Sequence, residues 1–252
     1  MNYFEIFIWV LSFAIVAFLL FTVLNHRVDL SFVFGGAGKK KNGILILGLP
    51  DSGKTTIWAW FRYTLVLPTQ TSMKVNEEEI PVHLMDKTVN VFLTDIPGNI
   101  KLRHQFIQYL PICKGIMFVV DSSKIDENYQ EVSEYLYDVL TSTQVFEQKI
   151  PIAIICNKRD DEKSIKGTEI KLKIEDELNH LRSTRTLALD SHDDNGSYKD
   201  DIYLGIQDEK FEFLHIPNQV AFIETSFQSS LDKSPVLIGH SELSSWVIDR
   251  LE

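Results

Sequence analysis

Short apolar runs alternate along the chain with segments whose apolar residues recur every three or four positions. Residues 44–47 (Ile-Leu-Ile-Leu), 115–120 and 150–156 are almost uninterruptedly apolar, as strands buried on both faces are. Between them, 57–66 and 126–145 have helical spacing, and a later stretch carries Ile170, Ile174, Leu178 and Leu181 on one face. Residues 80–85 and 89–94 instead alternate with a period of two about Asp86-Lys87, which predicts a hairpin. An amphipathic stretch ends at Leu110, 211–214 read as a short strand, and 220–225 read as the last buried one. Leu243, Trp246, Val247 and Leu251 mark a final helix. The alternation predicts an α/β fold, a mostly parallel sheet with helices on both faces. Residues 182–210 break it with a polar stretch that includes Asp-Ser-His-Asp-Asp-Asn-Gly and read as an insertion.

The N-terminus follows another rule. Residues 6–24 are 19 positions without a charge, and as a helix they would span about 28 Å, near the thickness of a bilayer's hydrocarbon core. A cleaved leader would want a basic start and a small-residue cleavage site, and neither is present. Arg27 and Lys39–Lys41 follow the span and no basic residue precedes it, so the expected orientation leaves the rest of the chain in the cytosol. The expected organisation is a transmembrane anchor over 1–25, a Gly- and Lys-containing linker over 26–42 and a domain over 43–252.

Composition adds exclusions. The net charge of −10 argues against a nucleic-acid partner. Cys113 and Cys156 sit beside apolar runs and read as buried thiols rather than as a disulfide or a metal site.

The chemistry starts where the first strand ends. Gly48-Leu-Pro-Asp51-Ser52-Gly53-Lys54-Thr55 fits G-x-x-x-x-G-K-[ST], a loop whose N–H groups converge on phosphate oxygens. In that pattern Lys54 faces the outer phosphates, the Thr55 hydroxyl is placed for magnesium, and Thr56 continues into a helix whose N-terminus favours anions. Asp95-x-x-Gly98 closes another strand, so that Asp95 can reach the metal and the Gly98 N–H the terminal phosphate. Asn157-Lys158-x-Asp160 follows a third strand. A carboxylate at Asp160 can accept from guanine N1–H and the 2-amino group, which adenine lacks. The Lys158 stem can lie along the base, Asn157 can brace the phosphate loop, and Glu224-Thr225-Ser226 offers a backbone donor to guanine O6. The expected ligands are GTP and Mg2+.

In these motifs the chain resembles the Ras-superfamily small GTPases, most of all the Arf/Sar branch. Thr69-Gln-Thr71-Ser72, Lys101-Leu-Arg103 and Glu177-Leu-x-x-Leu-Arg182-x-Thr-Arg185 add to the likeness, as do Phe211-Glu-Phe213 and the Val220–Ser226 run. The resemblance implies the P-loop small-GTPase fold and a switch threonine that helps hold the metal, Thr71 first and Thr69 second. With the anchor it implies the membrane-bound subunit of a two-subunit receptor. Its partners would be the larger subunit, met through the switch loops, the endoplasmic reticulum membrane, and a ribosome or translocation channel. Asn99 stands where Ras-like enzymes carry a water-orienting Gln, which implies slow hydrolysis at most. The rival readings are an Arf-like trafficking timer and a scaffold that has lost nucleotide chemistry.

Overall fold

The computed structural model describes residues 42–190, 202–228 and 236–251. The expected anchor and most of the linker lie outside them, and no described helix is long and apolar enough to cross a membrane.

The sheet is built around β1 (Gly43–Leu47), whose five residues are all buried. Its alternating side chains feed two cores. Ile44 and Ile46 face one side with Ile57 and Trp60 of α1 (Lys54–Tyr63) and Leu243 and Val247 of α5 (His240–Asp249). Leu45 and Leu47 face the other, with residues of α2 (Ile125–Leu140), α3 (Thr143–Glu147) and α4 (Gly167–Asp190). Helices on both faces of a strand buried throughout are what its unbroken apolar run requires.

Six strands run in the order β2-β3-β1-β4-β5-β6, where β2 is Asn76–Leu84, β3 Lys87–Asp95, β4 Cys113–Asp121, β5 Ile152–Asn157 and β6 Val220–Glu224. Only β2 is antiparallel, as the expected hairpin demands. Both cysteines are buried and free, and burial pushes each thiol up to about 12.

Several boundaries differ from the sequence reading. Helix α1 starts at Lys54 and stops at Tyr63, because Thr64 turns left-handed and caps the Trp60 carbonyl. The long helix expected over 126–145 divides at Thr141, whose hydroxyl bonds the Tyr137 carbonyl at 2.8 Å. The stretch before β4 is a 3-10 helix, Arg103–Ile112, with Pro111 inside it. Residues 211–214 form no strand: Phe213–His215 is a 3-10 turn, and Phe211 and Phe213 are buried edge to face. β6 is an edge strand, largely half-buried, and a hairpin of β7 (Ser226–Gln228) and β8 (Val236–Ile238) follows it without a warning in the periodicity.

Of the polar stretch 182–210, read as an insertion, residues 191–201 lie outside the described residues. Helix α4 extends into the stretch as far as Asp190, and Arg182 is buried. Its guanidinium donates to the carbonyls of Leu204 at 3.3 Å, Ile206 at 3.1 Å and Glu209, and to Asn179 Oδ1 at 2.8 Å. Polarity here marks a staple between a helix and a returning segment.

Candidate nucleotide-binding site

Strand β1 lies between β3 and β4, and the chain visits the β3 side before crossing to the β4 side. Such a reversal opens a crevice beyond the carboxyl ends of the strands, and the loop 48–55 hangs from β1 into it. Two glycines are fixed by geometry. Gly48 has φ 137° and a Cβ there would lie 2.2 Å from the Val119 carbonyl oxygen; Gly53 has φ 96° and its Cβ would lie 2.2 Å from Asn157 Nδ2. Only glycine lets the loop curl this tightly. The cleft measures about 270 Å3 and is lined by Asp51, Lys54, Thr55, Ser72, Gly98 and Lys158 among others.

Lys54 is buried and donates to the Leu49 carbonyl at 2.6 Å. Burial brings its pKa down to about 8, against the pull of Asp95 and Asp51. A charge held against desolvation at the end of a helix N-terminus is poised for an anion.

A second corner gathers oxygens. Thr55 donates to Asp95 Oδ2 at 2.7 Å and lies 3.0 Å from the Ser72 hydroxyl. Asn76 Nδ2 reaches Asp95 Oδ2 and Ser72 Oγ, each at 3.1 Å. Asp95 is fully buried and its other oxygen has no partner. Its pKa is raised, first by burial, against the bond from Thr55, the charge of Lys54 and the bond from Asn76. A buried carboxylate with a spare oxygen beside two hydroxyls is a hard-oxygen donor set that fits Mg2+.

The candidate switch hydroxyls all lie at the cleft. Thr71 donates to Asp51 Oδ1 at 2.8 Å, and Thr69 pairs with the Thr56 hydroxyl at 2.9 Å. The hydroxyl beside Thr55 and Asn76 belongs to Ser72. Gly98 packs on the phosphate loop so closely that a Cβ would meet Pro50 N at 2.5 Å and the Gly48 oxygen at 2.6 Å. The Asn99 carboxamide oxygen accepts from the Lys101 N–H at 3.0 Å, closing a turn within its own loop.

The third corner joins β5 to β6. Asn157 donates to the Ser52 carbonyl at 2.9 Å and accepts from Thr225 at 3.2 Å. Lys158 (φ 62°) sends its ammonium to Asp121 at 2.6 Å. Burial would raise the Asp121 pKa, but Lys158 and Ser123 outweigh it and hold the carboxyl below its ordinary range. Asp160 accepts from Ser226. The backbones are tied as well: Thr225 N–H bonds the Cys156 carbonyl at 2.9 Å, and Arg159 N–H bonds the Thr225 carbonyl at 3.1 Å. A pocket of about 200 Å3 between them is lined by Gly53, Thr56, Lys158, Asp160, Asp161 and Phe227, with Asn157 behind.

The structure therefore brings Asp51, Gly53, Lys54, Thr55, Thr56, Thr71, Gly98, Asn157, Lys158, Asp160 and Ser226 around adjoining pockets, with Ser52 bound to Asn157 behind them. Sequence reasoning assigned no role to the side chains of Asn76 and Asp121, nor to those of Ser72 and Thr225 within the motifs that contain them. Ser72 stands in a run of four polar residues whose register no pattern fixes, and the other three act by supporting neighbours.

A mostly parallel sheet with one antiparallel edge, carrying these three corners at its switch point, is the small-GTPase fold. A solved structure of the mammalian signal recognition particle receptor matches with a TM-score of 0.68 at 28% identity, over 82% of this chain and 99% of that one. The Chaetomium thermophilum SRb-GTP/SRX complex matches in fold, with a TM-score of 0.65 at 20% identity over 82% and 99% of the two chains. The Dictyostelium discoideum signal recognition particle receptor subunit beta is 32% identical over 233 residues, covering 84% of this chain and 77% of that protein. The model of the signal recognition particle receptor beta subunit family matches residues 39–220, and the chain belongs to that family.

Proposed function

We propose that the chain is the membrane-anchored, GTP-holding subunit of a signal recognition particle receptor, and that its nucleotide state sets its grip on the receptor's α subunit. The observation that carries this is the bond from Asn157 to the Ser52 carbonyl, which fastens the turn bearing Asp160 to the loop bearing Lys54. A base read by Asp160 and phosphates held by residues 48–55 then belong to one ligand. Gly48, Asp51, Ser52, Gly53, Lys54, Thr55, Thr56 and Gly98 would cradle the phosphates, while Asn157, Lys158, Asp160 and Ser226 would serve the base.

Thr55 and Asp95, with Thr71 or Ser72 as the switch hydroxyl, would hold Mg2+, which would supply positive charge to neutralise the phosphates. Of the loops 68–76 and 95–103, Thr69 to Ser72 with Pro97 and Gly98 line the cleft; both loops would change partners with the γ-phosphate, and the surface offered to the α subunit's N-terminal domain would change with them. That the Chaetomium thermophilum relative was solved with GTP and SRX supports this arrangement. The Asn99 carboxamide oxygen is taken up by the Lys101 N–H, which favours a tether with slow hydrolysis over a timer.

Residues 1–25 would anchor the protein in the endoplasmic reticulum membrane, residues 26–42 would link, and 43–252 would form the cytosolic domain. The test is capture of the α subunit's N-terminal domain by the full chain in detergent, loaded with GTP or GDP. Retention with GTP and release with GDP is expected; equal retention in both contradicts the proposal.

A further inference from the structure

The pocket beside Asp160 has an apolar wall that no base-reading motif requires. Phe227 lines it together with Lys158 and Asp160, although the residue is only 9% exposed. Its position is set from behind. Trp60 of α1 lies 5.3 Å from it, tilted by 56°, and is itself held edge-on by Phe61 at 5.0 Å and His240 at 5.8 Å. The neighbouring backbone is equally fixed. Ser226 is bonded to Asp160 and Phe227 pairs with Leu237 across β7–β8. A Cβ on Gly239 would meet the Glu224 oxygen at 2.0 Å, so the hairpin closes tightly on this turn. An aromatic ring packed against Trp60, on a residue that also lines a ligand pocket, loses little entropy when a flat ligand docks on it.

From this geometry we infer that Phe227 is a wall of the base site, contacting the purine across from the Lys158 stem and retaining it by apolar contact that is blind to the ring's substituents. The inference rests on the GTP reading above and adds a division of labour to it. Asp160 discriminates among purines through hydrogen bonds, while Phe227 supplies affinity common to them. Trp60 is a positioning residue for that wall.

The experiment is calorimetry on the full chain in detergent with Mg2+ present, using GTP, inosine triphosphate and inorganic tripolyphosphate as probes, on the wild type and on Phe227→Ala, Phe227→Leu and Phe227→Tyr. Loss of base–aromatic contact predicts that Phe227→Ala weakens both nucleotides by the same factor, roughly ten- to a hundredfold. Tripolyphosphate, which has no base, keeps its affinity within about twofold, because the phosphate loop is untouched. Phe227→Tyr stays near wild type. Phe227→Leu, which keeps the packing on Trp60 but not the ring, falls between and serves if the alanine variant does not fold. Equal losses for tripolyphosphate and nucleotides would mean a structural role and overturn the inference, as would nucleotide affinities that do not change. A wild type that binds tripolyphosphate but neither nucleotide would overturn the GTP reading itself, a distinguishable result.

Discussion

Asn157 and Ser52, 105 residues apart in sequence, share a 2.9 Å hydrogen bond in which the Asn157 carboxamide donates to the Ser52 carbonyl. The same carboxamide accepts from Thr225, so one buried side chain ties three loops. Asn157→Ala leaves both partners unpaired in a dry interior. The expected losses are about 1–3 kcal/mol of stability and roughly tenfold or more in GTP affinity. Thermal unfolding and calorimetry check both, and a variant as stable and as tight as wild type would show the tie to be idle.

Ser72 and Thr71 make opposite predictions. Ser72→Ala removes a hydroxyl 3.0 Å from Thr55 and should raise the Mg2+ concentration needed for half-maximal nucleotide binding. Thr71→Ala removes only the bond to Asp51 and should leave that concentration within about twofold. The reverse pattern in a magnesium titration would assign the metal's switch hydroxyl to Thr71.

Lys54 gives the site a pH dependence. Its pKa in the free protein is lowered to about 8 by burial, and phosphate beside it raises that value, so binding above pH 8 takes up a proton. GTP affinity should be flat from pH 7 to 8 and fall on going to pH 9, by at most about tenfold per unit. Affinity that rises with pH, or stays flat, contradicts the assignment. Lys54→Ala should abolish tight binding at any pH.

Asp160→Asn exchanges an acceptor for a donor at the base. Preference should move from GTP toward xanthosine triphosphate, measured by competition, because the hydrogen-bond pattern on the base is exchanged. A variant that keeps its preference for GTP would place base reading elsewhere.

Arg182 should matter for stability alone. Arg182→Met leaves the carbonyls of Leu204, Ile206 and Glu209 without their donor, and a loss of about 2–4 kcal/mol is expected from a buried network broken on one side. Urea unfolding reads it, and nucleotide affinity below the transition should be unaffected.

The parts legible in the sequence were those written in local patterns. Ile44–Leu47 announced a strand between two cores, Gly48–Thr55 a phosphate loop, and the alternation around Asp86-Lys87 a hairpin. Long-range partners were not legible. The burial of Arg182 was not legible because its acceptors are backbone carbonyls, which every sequence has. Ser72 could not be told from Thr69 and Thr71, since which hydroxyl meets Thr55 depends on how the loop is gathered by Asn76. The hairpin after Ser226 is made of three-residue strands, too short for periodicity to register.

The most direct test is a calorimetric titration of the purified full chain, stripped of nucleotide, with GTP and with ATP in Mg2+. The account predicts saturable binding of GTP and binding of ATP weaker by at least about a hundredfold, since ATP cannot make the paired bonds to Asp160. ATP bound as tightly as GTP, or no heat from either, would contradict it.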